Sequence, residues 1–368
     1  TSKSPCDCAA QRPANTMASP KEDLQLCLEE LSDADKFLND TVAKVLPLAS
    51  IAEEGIPCEE SLQRLADCRR KGLAMSHDRW QKTIKDVWTV EEVQVSRGSS
   101  VPPLLVYMHT PVVKGPDMPL LVWVHGGGTT LMSAKDDVGA TLLAEVADTV
   151  GRPFCWASVD YRLAPEAKFP DPVDDVITAY KALREEATAQ KHGYCLDRIG
   201  ISGVSAGGLL AAHAACRLAQ EPGQGPDYVA LLYPMADALC ASQSFAKYGV
   251  LATSPGPWIR WSWHRLVSEG GCEATDSQLR EASLLTVPLE VLGSLKGTPV
   301  MLLTGMQDAL HDEGVALGEL LSEAGAQVRA LDAPGIHVFA HNNDEGIKGE
   351  LLKWFGGMLF GPEPATSL

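Results

Sequence analysis

Between residues 118 and 333 the chain alternates short apolar runs with stretches of mixed polarity. The runs are Pro119–Val124, Phe154–Val159, Arg198–Ser202, Val229–Leu232, Val300–Leu303 and Val328–Leu331. The mixed stretches, near Asp137–Val150, Val173–Glu186, Ala206–Ala219 and Glu313–Ala324, have helical spacing. Continuous apolar strands separated by helices predict a mainly parallel sheet covered on both faces. Upstream the period changes: Val90, Val93 and Val95, then Leu104, Val106 and Met108, alternate with polar residues, which predicts an antiparallel pair at a sheet edge. Earlier still, Ser19-Pro20 before Lys21-Glu22-Asp23 signals a helix start. Leu24, Leu28, Leu31, Phe37, Leu38, Val42, Val45 and Leu46 follow at roughly helical spacing, and a second amphipathic stretch covers about Ser61–Met75. The interval from Tyr233 to about Leu285 is too long for a simple connection and holds Trp258, Trp261 and Trp263. Such insertions at strand ends act as lids. The division expected is an N-terminal helical cap region over 1–85, a catalytic body over 86–234 and 286–368, and a cap insertion over 235–285.

Composition narrows the function classes. Of 368 residues, 45% are hydrophobic and 21% charged, which excludes a disordered or fibrous chain. The formal net charge of −17 makes nucleic acid and anionic membrane surfaces poor partners and favours neutral or apolar substrates. No apolar run approaches the length of a membrane span. Thr1–Pro20 is polar and lacks the charged-then-apolar blocks of a secretory signal. The ten cysteines are scattered, several within apolar segments (Cys27, Cys155, Cys195, Cys216, Cys240), and read as buried thiols of a cytoplasmic protein in a reducing compartment. Cys6 and Cys8 have no second pair at zinc spacing, so no metal is expected.

The sharpest motif is Gly203-Val204-Ser205-Ala206-Gly207, with Gly208 after it, between the run Arg198–Ser202 and the helix opening at Leu209. A nucleophilic serine on a strained strand-to-helix turn needs small residues on both sides. His125-Gly126-Gly127-Gly128 follows another apolar run; two amides there, with that of Ala206, can hold a tetrahedral oxyanion. No P-loop lysine or dinucleotide glycine spacing accompanies these glycines. A serine needs a base and the base an orienting acid. Asp308 lies in the loop after Val300–Leu303, with Asp312 a competitor that also suits a helix cap; His337 follows the last run, with His341 as its rival.

Together these residues resemble the hormone-sensitive-lipase-like branch of the α/β-hydrolases, the HGGG or fold-3 carboxylesterases. The resemblance runs from about residue 85 to the end. It rests on His125–Gly128, Tyr161–Glu166, Phe169–Pro172, Gly203–Gly208, Asp308–Gly314 and Gly335–Phe339. It implies an α/β-hydrolase fold with a helical cap, a triad of Ser205, Asp308 and His337, and an oxyanion hole of the Gly127, Gly128 and Ala206 amides. His125 and the Tyr161–Glu166 stretch would position the oxyanion loop. Val204 departs from the family's usual Asp before the nucleophile, making the elbow less polar.

The expected activity is hydrolysis of small to medium hydrophobic esters or lactones through an acyl-enzyme on Ser205, without cofactor. Trp258, Trp261 and Trp263 are candidates for the substrate pocket. The alternatives are acyl transfer, elimination or rearrangement of a natural product on the same triad, or a non-catalytic ligand-binding relative. An edge strand near Phe339–Phe355 and the exposed cap would support a homodimer.

Overall fold

The computed structural model describes residues 20–53, 58–99, 101–268, 273–338 and 345–361. The apolar runs become the strands of one sheet, ordered β1-β2-β4-β3-β5-β6-β7-β8. They are β1 (Trp88–Val95), β2 (Leu104–Pro111), β3 (Met118–Val124), β4 (Cys155–Asp160), β5 (Tyr194–Val204), β6 (Tyr228–Leu232), β7 (Pro299–Gly305) and β8 (Gln327–Ala333). β1 pairs antiparallel with β2, the edge pair that the alternating pattern predicts; β2 is also antiparallel to β4, which the pattern does not predict, and the other pairs are parallel. From β3 the chain moves outward to β4, and from β5 it moves the other way to β6. The reversal puts a crevice outside the carboxyl ends of β3 and β5, where open α/β sheets bind ligands.

Thirteen α-helices accompany the sheet among the described residues. The N-terminal three are α1 (Pro20–Glu29), α2 (Asp33–Val45) and α3 (Cys58–Ile84). Alternating with strands come α4 (Asp137–Val150), α5 (Asp171–Leu183), α6 (Glu186–His192) and α7 (Ala206–Ala219). The insertion after β6 holds α8 (Gln243–Tyr248), α9 (Gly256–Val267) and α10 (Asp276–Ala282); α11 (Leu289–Leu292), α12 (His311–Glu323) and α13 (Glu345–Phe360) complete the chain. Side chains of β3 divide by the strand period of two. Leu120, Val122 and Val124 join the core under α5 and α7, whereas Leu121 and Trp123 join the core under α4 and α13.

The N-terminal pattern resolves into separate helices because Ser32 accepts from the Asp35 amide at 3.1 Å and starts α2 afresh. α3 is longer than its apolar stripe predicts. The edge strand expected near Phe339–Phe355 is corrected: residues 345–360 form α13. Leu351, Leu352, Phe355 and Leu359 have helical spacing and are buried. Among the described residues Cys27, Cys68, Cys155, Cys195, Cys216 and Cys240 are free thiols, whereas Cys58 is disulfide-bonded, so the reading of the cysteines as thiols does not extend to it. Cys6 and Cys8 lie outside the described residues. No described helix is long and apolar enough to cross a membrane.

Candidate active site

At the end of β5 the backbone of Ser205 takes φ 55° and ψ −121°, a conformation that projects its hydroxyl above the sheet. The flanking glycines are required by contact. A Cβ on Gly203 would fall 2.2 Å from the Gly207 carbonyl oxygen, and one on Gly207 2.1 Å from that of Val124. The elbow is tied to its neighbours: the Ser205 amide donates to the Leu232 carbonyl (2.9 Å), and the Met235 amide to the Ser205 carbonyl (3.0 Å). Glu313 supports that second contact from α12. Its buried carboxylate accepts from the Ala236 and Asp237 amides at 2.7 and 3.2 Å, and burial pushes its pKa well up.

The loops after β7 and β8 converge on this hydroxyl. Ser205 Oγ lies 3.0 Å from His337 Nε2, and His337 Nδ1 lies 2.6 Å from Asp308 Oδ2. The other Asp308 oxygen accepts from the Leu310 amide at 3.0 Å. Asp308 is fully buried, and Ser205 and His337 are 8% and 7% exposed, so water screens the three only weakly. The acceptor role of Asp308 assigns the Nδ1–H tautomer, leaving Nε2 to accept from the serine. The Tyr233 ring meets the imidazole edge-on at 5.0 Å.

Asp312, the competitor for the acid, turns away from His337. Its Oδ2 accepts from the Ser244 amide on α8 at 2.8 Å, and its Oδ1 lies 2.8 Å from His311 Nδ1. Burial raises the Asp312 carboxyl, but His311 and Ser244 outweigh it and hold the pKa below its ordinary value. His341 lies outside the described residues.

The oxyanion loop is built on two left-handed glycines, Gly127 at φ +98° and Gly128 at φ +59°. The N–H groups of Gly127, Gly128 and Ala206 have no acceptor among the described residues. That of Ala206 opens α7, whose first amides are free by helix geometry. His125 stacks on Tyr161 at 4.2 Å, and the Tyr161 hydroxyl donates to the His125 and Gly126 carbonyls at 2.9 and 3.2 Å. Burial lowers the His125 pKa, so its ring stays neutral under this loop.

A cavity of about 420 Å³ opens at Ser205 and His337. Sequence reasoning placed Val204 and Trp258 near it, and both line it. Trp258 also packs on the oxyanion loop, its ring 2.8 Å from where a Gly128 Cβ would stand. Trp261 and Trp263 do not line it. Trp263, about 140° further round α9 than Trp258, is buried in the core, and Trp261 lies under Arg265 at 5.4 Å. The unforeseen part of the wall comes from α2 and α3: Val42, Val45, Leu46, Gly72 and Met75. Helical periodicity marks such residues as inward-facing but cannot say that they face a cavity.

A family model described as the α/β hydrolase fold matches residues 121–341. The chain is 32% identical over 219 residues to the ethyl acetate hydrolase of Pseudomonas putida, covering 59% of this chain and 64% of that one. It is also 32% identical over 216 residues to the carboxylic ester hydrolase LipN of Mycobacterium tuberculosis, covering 57% and 54%. The match thus spans less than two thirds of the length of either relative. Among solved structures, a bacterial heroin esterase superposes with a TM-score of 0.69 at 25% identity, covering 92% of this chain and 97% of that one. With most of the sheet inside the matched segment, which spans more than half of the chain, the chain belongs to the hormone-sensitive-lipase-like group of the α/β-hydrolase family.

Proposed function

We propose that the protein is a serine carboxylesterase acting on small to medium hydrophobic esters or lactones, with Ser205 as nucleophile, His337 as base and Asp308 as orienting acid. The observation that carries this reading is the Ser205–His337–Asp308 chain of contacts, at 3.0 and 2.6 Å, opening on a mostly apolar cavity. The ester-hydrolase names of the relatives support it.

As Ser205 Oγ bonds to the carbonyl carbon, its proton passes to His337 Nε2 and the C=O pair moves onto oxygen. The Gly127, Gly128 and Ala206 amides hold that oxyanion, and each such donor contributes about 3–4 kcal/mol of barrier lowering. Collapse restores the C=O and breaks the bond to the leaving oxygen, which takes the proton from Nε2. An ester releases its alcohol; a lactone keeps it tethered to the acyl group. Water then attacks the acyl-enzyme with the same proton traffic, returning Ser205 and releasing the acid.

Hydrolysis of p-nitrophenyl acetate and butyrate tests the proposal. Ser205→Ala is expected to lower kcat/KM by about 10⁴-fold or more, and a fluorophosphonate should label wild type but not this variant. Equal rates for both proteins remove Ser205 from the mechanism. A new ester formed with an added alcohol would assign acyl transfer to the same triad.

A further inference from the structure

We propose that Gly72, in the middle of α3, sets the depth of the ester-binding cavity and so determines how long an apolar chain the site accepts. The inference rests on the esterase reading and adds a specificity residue to it, far in sequence from every catalytic motif.

Glycine inside a helix is disfavoured against alanine, because it loses more backbone freedom and adds no packing. Where a helix keeps a buried glycine, a neighbour usually leaves no room for a Cβ. Among the described residues that holds for the other buried glycines within α-helices except Gly256, where the space is tight but not closed. At Gly139 a Cβ would stand 2.4 Å from Trp123, at Gly207 2.1 Å from the Val124 carbonyl and at Gly208 2.7 Å from Pro234. At Gly256 it would stand 3.1 Å from Phe245, at Gly314 2.7 Å from Thr304, at Gly318 2.7 Å from Leu302 and at Gly356 2.5 Å from Val150. Gly72 is different. It is buried, yet the nearest heavy atom to its Cβ position is Leu46 Cδ2 at 3.7 Å, an ordinary contact. Packing therefore does not require glycine there.

What a side chain at 72 would fill is the cavity that reaches Ser205 and His337. On the α2 and α3 side the lining is Val42, Val45, Leu46 and Met75 together with Thr41, Ser76 and Arg79, but the polar three are engaged within the protein: Thr41 Oγ1 donates to the Phe37 carbonyl and Ser76 Oγ to Asp137 Oδ1, both at 2.8 Å, and Arg79 pairs with Asp137 at 3.5 Å. The group that occupies this end is therefore an unsubstituted hydrocarbon chain of the substrate. At about 420 Å³ the cavity falls in the range of small-molecule sites, and space removed at Gly72 is removed from its α3 wall.

The test compares wild type, Gly72→Ala, Gly72→Leu and Ser205→Ala on two ester series. One is p-nitrophenyl esters from acetate to decanoate; the other is alkyl acetates from ethyl to decyl. They distinguish an acyl chain from an alcohol chain in this space. Gly72→Ala is expected to raise Tm by about 1–2 °C. In one series the long-to-short ratio of kcat/KM should fall about threefold with Ala and about tenfold or more with Leu. A merely structural glycine would move Tm without moving that ratio. If both variants keep the ratio within about twofold in both series, or if Gly72→Ala lowers Tm, the proposal is overturned. Should Gly72→Leu fail to fold, the opposed shifts expected of Gly72→Ala decide alone. Loss of activity and of labelling in Ser205→Ala, alongside an unchanged ratio, would overturn the role of Gly72 and leave the esterase reading standing.

Discussion

At Gly127 the backbone must hold φ +98°, and an added Cβ would stand 2.4 Å from the carbonyl oxygen of Leu131, whose amide donates to the Gly127 carbonyl and closes the same turn. Neither condition suits an L side chain. Gly127→Ala is therefore expected to displace one oxyanion donor and lower kcat by about 10²–10³-fold, with KM changed far less, since the donor acts on charge that develops in the transition state. Steady-state kinetics on p-nitrophenyl butyrate checks this; a loss confined to KM would mean that the turn binds substrate and not the oxyanion. Such residues were legible in the sequence because the geometry demands unusual types: glycines where φ is positive, and serine between small neighbours. The sequence favours Asp308 over Asp312 because Asp312 suits the start of a helix and because the family resemblance points to Asp308; the reason visible only in the structure is that Asp312, within α12, turns to Ser244 and His311. The cavity wall was not legible. Val42, Gly72 and Met75 carry no chemistry, and a helix pattern marks an inward face without telling core from cavity.

Among the elements, α4 joins sheet, N-terminal helices and cavity, and its start depends on Asp136. This buried carboxyl accepts from the Val138 and Gly139 amides at 3.0 Å and from Trp123 Nε1 at 3.3 Å. Burial, helped by the neighbouring charge of Asp137, raises its pKa to about 6 despite those donors. The folded state thus holds the proton more tightly than the unfolded chain. The stability this contributes is complete below about pH 3.8 and is lost as pH rises through about 6. Asp136→Asn keeps an acceptor for the cap but cannot ionise, so its Tm relative to wild type should become more favourable between pH 4 and pH 7. A difference independent of pH would mean that the donors keep the carboxylate charged throughout. Asp136→Ala removes the acceptor altogether and should cost about 1–2 kcal/mol at either pH. The central strands were legible as elements because parallel strands buried on both faces read as unbroken apolar runs. The strand expected near Phe339–Phe355 failed because the spacing of Leu351, Phe355 and Leu359 follows a helix.

On the scale of the whole molecule, the N-terminal helices contribute to the site only if they stay docked on the catalytic body. Apolar contacts do part of this: Leu65, Cys68 and Trp80 of α3 are buried. The directional part is Arg69. Its Nε donates to the Thr130 carbonyl at 2.7 Å, and one terminal nitrogen donates to the Ala164 carbonyl at 2.7 Å. Both terminal nitrogens reach Glu166, at 2.6 and 2.9 Å. The Glu166 side chain is 64% exposed, so that ion pair is screened and counts for little. The carbonyl contacts matter more, because the Thr130 amide closes the turn of Gly127 and the Ala164 amide holds the loop by donating a hydrogen bond to the Thr129 carbonyl (2.9 Å). One guanidinium thereby fixes α3, the oxyanion loop and the loop after β4 together. Arg69→Met keeps the alkyl stem and removes every donated bond. It is expected to cost about 1–3 kcal/mol in denaturant unfolding, to make α3 more susceptible to trypsin, and to lower kcat through the loosened Thr130 turn. If α3 stays as resistant as in wild type while kcat falls, Arg69 serves the oxyanion loop and apolar packing alone holds the N-terminal helices. If neither changes, the docking rests on Leu65, Cys68 and Trp80, and the cavity wall that α3 supplies is independent of this arginine.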